Sequence, residues 1–143
     1  RVGTVVRVGP QLIETLWAGD FVPVVAPLGL GPKGAYNVNA DSAAAALAVG
    51  LGAGHLFVLT DVDGLLEEGE TVETLAPDGC EAYVDRGLAA GGMVPKLRAA
   101  AEAARSGVEA RILNGNRKGA LEAAVAGERV GTLISEGVAA CKQ

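Results

Sequence analysis

The feature that most constrains the fold is a six-residue apolar run, His55-Leu56-Phe57-Val58-Leu59-Thr60, with Gly52 and Gly54 before it and Asp61-Val62-Asp63-Gly64 after it. A run without polar alternation is covered on both faces, as strands in parallel sheets are. Parallel strands cannot be joined by a hairpin and need a crossover, usually helical. The flanking sequence supplies helices. Residues 40–51 read as a helix of small residues. Residues 93–105 read as another, stopped by Ser106-Gly107, and residues 110–113 as the next short buried strand.

The rest of the chain extends this alternation. Residues 10–18 predict a helix with Leu12, Ile13, Leu16 and Trp17 on one face, Pro10 in its first turn and Gly19 after its end, so that Trp17 reads as core. Residues 21–26 predict a short apolar strand whose Pro23 suits an edge or a strand start, followed by a Gly/Pro loop over 27–35. A further helix is predicted within 77–89, another over 117–126 closed by Gly127, and a last strand over 131–134. Strands separated by helices predict an α/β fold, three-layer αβα with a mostly parallel sheet, in one domain spanning residues 1–143.

Composition removes several function classes. With a net charge of −5 and no basic cluster longer than Arg117-Lys118, the chain is a poor nonspecific ligand for nucleic acid or for an anionic membrane. The apolar stretch over 43–59 is interrupted by Gly50, Gly52, Gly54 and His55, so it predicts helix, turn and strand, not a membrane span. Cys80 and Cys141 lie far apart, with no CxxC spacing and a single histidine. They read as reduced thiols of a cytoplasmic protein, and no metal site is expected from Cys or His. One histidine does not support a Ser-His-Asp or Cys-His set, and neither GxxxxGK[ST] nor GxGxxG occurs.

In open α/β sheets ligands sit at the carboxyl ends of strands, and polar residues stand where that rule asks for them. Asn37-Val38-Asn39-Ala40-Asp41 follows the expected 21–26 strand and opens the small-residue helix. Two readings fit it: a helix cap through Asn39 or Asp41, or a polar site. Thr60 to Leu66 follows the central apolar strand. It is either an ordinary Asp-Gly turn or a place where backbone groups grip a nucleotide and Asp61 or Asp63 helps to hold a cation. Gly91-Gly92-Met93-Val94-Pro95-Lys96 opens the helix over 93–105. Its glycines permit close backbone approach to a ligand. Lys96 stands where a cation opposes the helix dipole, a conflict that a phosphate partner would relieve.

Taken in order, YNVNADSAAAALAVGLGA, LFVLTDVDGLL and GGMVPKLRAAAEAARSGV resemble the amino acid kinase family, and within it the branch that phosphorylates N-acetylglutamate. LIETLWAGDFVPVVAPLG before them and RILNGNRKGALEAAVAGERVGTLI after them extend the resemblance over nearly the whole chain. The resemblance implies an ATP- and Mg²⁺-dependent transfer of phosphate to the γ-carboxylate of a small-molecule substrate, N-acetylglutamate, in arginine biosynthesis. It implies Lys96 and Asp41 as catalytic residues, the lysine on the transferring phosphoryl group and the aspartate orienting it. Asn37 and Asn39 fall at the substrate. Thr60, Asp61, Val62, Asp63, Gly64, Leu65, Leu66, Leu88, Ala89, Ala90 and Met93 fall at the nucleotide. The family's N-terminal lobe, with its Lys-x-Gly-Gly strand, second glycine-rich loop and substrate-binding arginine, has no counterpart in this chain. The expectation is therefore the C-terminal, ATP-binding part of a homo-oligomeric cytoplasmic enzyme, with little turnover by itself. Near residues 114–128, Lys118-Gly119 stands where arginine-inhibited members carry a histidine. Two alternatives remain open: another kinase of the family, acting on carrier-bound aminoadipate, aspartate, carbamate or a nucleotide, or a non-catalytic binding module.

Overall fold

A computed structural model describes residues 1–137; Cys141 lies outside them. The central apolar run forms strand β3, His55–Thr60, and Glu109–Asn114 forms β7. The two pair in parallel, residue for residue, from His55 with Glu109 to Thr60 with Asn114. Beyond β7 lies β8 (Thr132–Ile134), antiparallel to β7, and beyond that β6 (Thr74–Leu75), parallel to β8. The sheet order is β3-β7-β8-β6, with two of its three pairings parallel.

Helices cover both faces. Leu56, Val58, Ala110 and Ile112 turn toward α2 (Ala40–Gly50) and α4 (Met93–Arg105) and join one core. Phe57 and Leu113 turn the other way and pack with Ala120 and Ala124 of α5 (Ala120–Val125). The strand period of two thus serves two separate clusters, and the arrangement is a three-layer αβα. The large cluster is built mainly of alanine: Ala45, Ala99, Ala100, Ala101, Ala103, Ala104 and Ala110 are all nearly inaccessible. Two further short elements, a 3₁₀ turn over Pro77–Gly79 and α3 (Cys80–Asp85), pack beside α4 and are tied to it by Arg98–Glu81 and Arg105–Asp78 ion pairs. Cys80 is free and buried there, and burial pushes its thiol up to about 11. No helix of the described residues is long and apolar enough to cross a membrane.

Three expectations are corrected. Residues 21–26 form no strand: Phe21, Val22, Val24 and Val25 are 64%, 88%, 95% and 53% exposed, and no described strand runs beside them to accept their hydrogen bonds. The loop expected over 27–35 is instead largely a hairpin, β1 (Leu28–Gly31) with β2 (Gly34–Asn37), turning at Pro32-Lys33. Trp17 is not core. On α1 (Gln11–Ala18) only Ile13 is buried, while Trp17 is half exposed, because no described element packs over that face. Smaller differences follow from backbone chemistry. The last helix starts at Ala120 because Gly119, at φ 79°, takes a left-handed conformation that cannot continue a helix. Residues 66–71 hold a hairpin absent from the sequence reading, β4 (Leu66–Glu67) with β5 (Glu70–Thr71). It turns on Glu68 and Gly69, both with positive φ, as a two-residue hairpin turn requires.

Candidate active site

Topology brings the chemistry-bearing residues to one end of the sheet. Helix α2 leads into the start of β3 through residues 51–54, so its N-terminus lies toward the carboxyl end of that strand. Helix α4 leads into the start of β7 in the same way, and its N-terminus lies at the same end. Asp41 occupies the first turn of α2 and Lys96 the first turn of α4. Lys96 Nζ donates to Asp41 Oδ1 at 2.9 Å, with the two side chains only 23% and 16% exposed. The carboxylate is well placed at a helix N-terminus, where the dipole favours an anion; the ammonium, at the other N-terminus, is not. Pairing therefore resolves the electrostatic conflict at Lys96 and fixes where its charge points.

Asn39 is the N-cap of α2, its side-chain oxygen accepting the Ser42 N–H at 3.0 Å. Of the two readings open for this stretch, the cap holds for Asn39 and the ion pair engages Asp41. Asn37 ends β2, exposed, its backbone bonded to residues 1 and 3. The stretch thus follows a hairpin strand, not the carboxyl end of a parallel strand over 21–26.

The turn after β3 is held from several sides. Thr60 Oγ1 lies 3.2 Å from Asp61 Oδ1, and Asn114 Nδ2 at the end of β7 donates to Asp63 Oδ1 at 2.9 Å. Gly64, at φ 148°, packs so closely that a Cβ there would stand 2.7 Å from Thr132 Oγ1. The Leu65 N–H donates to that same hydroxyl at 2.9 Å. Asp61, Val62, Asp63 and Leu66 are exposed, whereas Leu65 is core and both its N–H and its carbonyl are engaged internally. Ala89 is likewise buried, so of the segment 88–90 only Leu88 and Ala90 keep accessible surface; Met93 is half-buried at the first turn of α4. That turn has no side-chain cap, and a Cβ at Gly91 or Gly92 would meet open space. Asn114 and Thr132 were missed in the sequence. Asn114 could have been found by applying the carboxyl-end rule to β7 as it was applied to β3; the contact of Thr132 with a residue 67 positions away has no local signal.

A mostly parallel α/β sheet with a lysine–aspartate pair and a helix start without a side-chain cap at its carboxyl end is an arrangement suited to binding phosphate. Residues 1–114 match the amino acid kinase family, and the chain belongs to that family. Over 136 residues it is 69% identical to the acetylglutamate kinase of Rubrobacter xylanophilus, covering 95% of this chain and 54% of that protein. The chain thus spans about half the length of that relative. Among solved structures, N-acetylglutamate synthase from Neisseria gonorrhoeae superposes with a TM-score of 0.85 at 26% identity, over 96% of this chain and 33% of that one. Carbamate kinase from Giardia lamblia superposes with a TM-score of 0.68 at 26% identity, over 87% of this chain and 42% of that one.

Proposed function

We propose that this chain is the nucleotide-binding part of an acetylglutamate kinase of arginine biosynthesis, working as a homo-oligomer in the cytoplasm. The observation that carries the chemistry is the Lys96–Asp41 pair at the joined N-termini of α4 and α2. The substrate assignment rests on the name of the relative with which the chain shares most of its length.

In this reading an oxygen of the N-acetylglutamate γ-carboxylate attacks the γ-phosphorus of ATP. The bond from that phosphorus to the β,γ-bridging oxygen breaks, and ADP leaves with the electron pair. The product is an acyl phosphate. No protein nucleophile is needed; positioning and neutralisation of charge on the phosphoryl oxygens suffice. Lys96 supplies positive charge to the transferring group. Asp41 holds the ammonium in place, so that no reorganisation is needed as charge moves. The N–H groups of Gly92 and Val94 at the start of α4 offer donors to phosphate (that of Met93 is bonded to the Ala90 carbonyl and Pro95 has none), and the Asp61–Leu66 and Leu88–Met93 segments flank the nucleotide. Among the described residues no three metal-ligating side chains gather. At the turn after β3, Asp61 or Asp63 would hold a Mg²⁺ together with phosphate oxygens and water, and the ion would supply further charge neutralisation.

The test uses the complete gene product with ATP, Mg²⁺ and a panel of acceptors: N-acetylglutamate, aspartate, carbamate and carrier-bound aminoadipate. Acyl phosphate is trapped with hydroxylamine. Turnover with N-acetylglutamate that falls at least a hundredfold in Lys96→Ala is the expected result. Turnover only with another acceptor would overturn the substrate, and full activity of Lys96→Ala would overturn the role of the pair.

A further inference from the structure

Next to the proposed site lies a polar cluster that the phosphoryl transfer does not use. Glu67 follows directly on Leu66, at the end of β4. Its carboxylate receives two donors from α3 and its C-cap: Tyr83 Oη at 2.6 Å on one oxygen and Arg86 Nη2 at 2.7 Å on the other. The Arg86 guanidinium also lies 5.6 Å from the Tyr83 ring centroid, which steadies both side chains.

Tyr83 reaches the opposite way as well. Its carbonyl accepts the N–H of Leu88 at 2.9 Å and of Ala89 at 3.1 Å, so the segment 88–90 hangs from the same residue whose hydroxyl grips Glu67. Gly87 permits this, its φ of 72° turning the chain back over the end of α3. Among the described residues no other hydrogen bond joins the 61–67 segment to the 83–93 segment. The first of these is anchored elsewhere, on Thr132 and Asn114. Each contains a segment assigned above to the nucleotide, Asp61–Leu66 in the first and Leu88–Met93 in the second.

We infer that Tyr83, Glu67 and Arg86 are positioning residues that fix the gap between the two nucleotide-facing segments and so set nucleotide affinity. The inference rests on the site proposed above. None of the three touches the reacting atoms; they act by holding Leu66 at one fixed distance from Leu88. Because small misplacements at such a site are felt strongly, the effect appears in nucleotide binding while the chemistry at Lys96 is spared.

The test compares wild type, Tyr83→Phe, Glu67→Ala and Glu67→Gln in the complete gene product, by calorimetric titration with ATP and by steady-state kinetics. Tyr83→Phe and Glu67→Ala are expected to raise the ATP Kd and KM about two- to tenfold, the equivalent of one or two hydrogen bonds. The KM for the acceptor and kcat at saturating ATP should stay within about twofold. Glu67→Gln keeps one acceptor, its amide oxygen toward Arg86, and can only donate to the Tyr83 hydroxyl through its NH2, so it should recover part of the affinity lost in Glu67→Ala. Unchanged ATP affinity in both Tyr83→Phe and Glu67→Ala overturns the inference, as does an equal rise in both KM values together with a drop in melting temperature. If wild type itself binds no ATP, the site assignment fails first and this inference with it. Should Glu67→Ala not fold, Tyr83→Phe and the exposed Arg86→Ala give the same comparison.

Discussion

Replacing Thr132 by Val isolates one hydrogen bond on which the turn after β3 depends. The Thr132 side chain is fully buried, and its hydroxyl oxygen accepts the N–H of Leu65, itself 1% exposed. Valine has nearly the same shape, so no cavity opens; what changes is that a buried amide loses its acceptor. Leaving such a donor unsatisfied costs about 1–3 kcal/mol. Thr132→Ser makes the opposite change. It keeps the acceptor and removes one methyl, a loss of about 0.8 kcal/mol. Urea denaturation of the complete gene product should therefore place the midpoints in the order wild type, Ser, Val. With an unchanged slope of about 1–3 kcal/mol/M, the Val midpoint falls by about 1 M. Amide exchange of Leu65 should accelerate in the Val variant only. If Val is as stable as wild type, or Ser is the weaker of the two, the hydroxyl is not what holds this turn.

Three other sites in the molecule give comparably defined outcomes. Gly131→Ala drives a Cβ into the Ile112 carbonyl oxygen at a φ of 71°; a loss of about 2–4 kcal/mol in chemical denaturation is expected. Asn39→Ala removes the N-cap of α2 and should cost about 0.5–2 kcal/mol, with Asn39→Asp restoring most of it. The Glu67 carboxyl is held below its ordinary value of 4.5, first by the Tyr83 hydrogen bond and then by Arg86. A lowered folded-state pKa gives stability that is present above the unfolded value and lost as pH falls through the folded one. The stability difference between wild type and Glu67→Gln should therefore be constant near neutrality and shrink below pH 4.5 in acid titrations.

What the sequence disclosed was whatever is decided locally. The ends of β3 and α4 could be read because glycine, serine and an Asp-Gly turn stand at them, and the helix period of α4 is uninterrupted. Strand β6 and the β4–β5 hairpin are only two residues per strand, too short for any period to register. Residues 21–26 have strand composition, but a strand exists only where a neighbour takes its hydrogen bonds, and composition does not name the neighbour. Trp17 failed similarly: an apolar stripe says that a helix face wants cover, not that cover is there. For the candidate site, Lys96 could be flagged because a cation at a helix N-terminus asks for a partner. That the partner is Asp41, 55 residues away, came only through the family resemblance. The buried hydroxyl of Thr132 had no such flag.

The alanine core has a consequence for how the candidate site can fail. Helices α2 and α4 meet through residues that have almost nothing left to lose, so truncating mutations cannot loosen that seam. Nearly every substitution available to Ala45, Ala99, Ala100 or Ala103 adds atoms where there is no room. The separation of two packed helices is set by the side chains between them. One added methyl in the middle of the seam would act as a wedge, spreading two helices whose first turns carry Asp41 and Lys96. The ion pair is therefore calibrated by residues that never approach it, and variants that impair it should map to the seam as readily as to the pair itself.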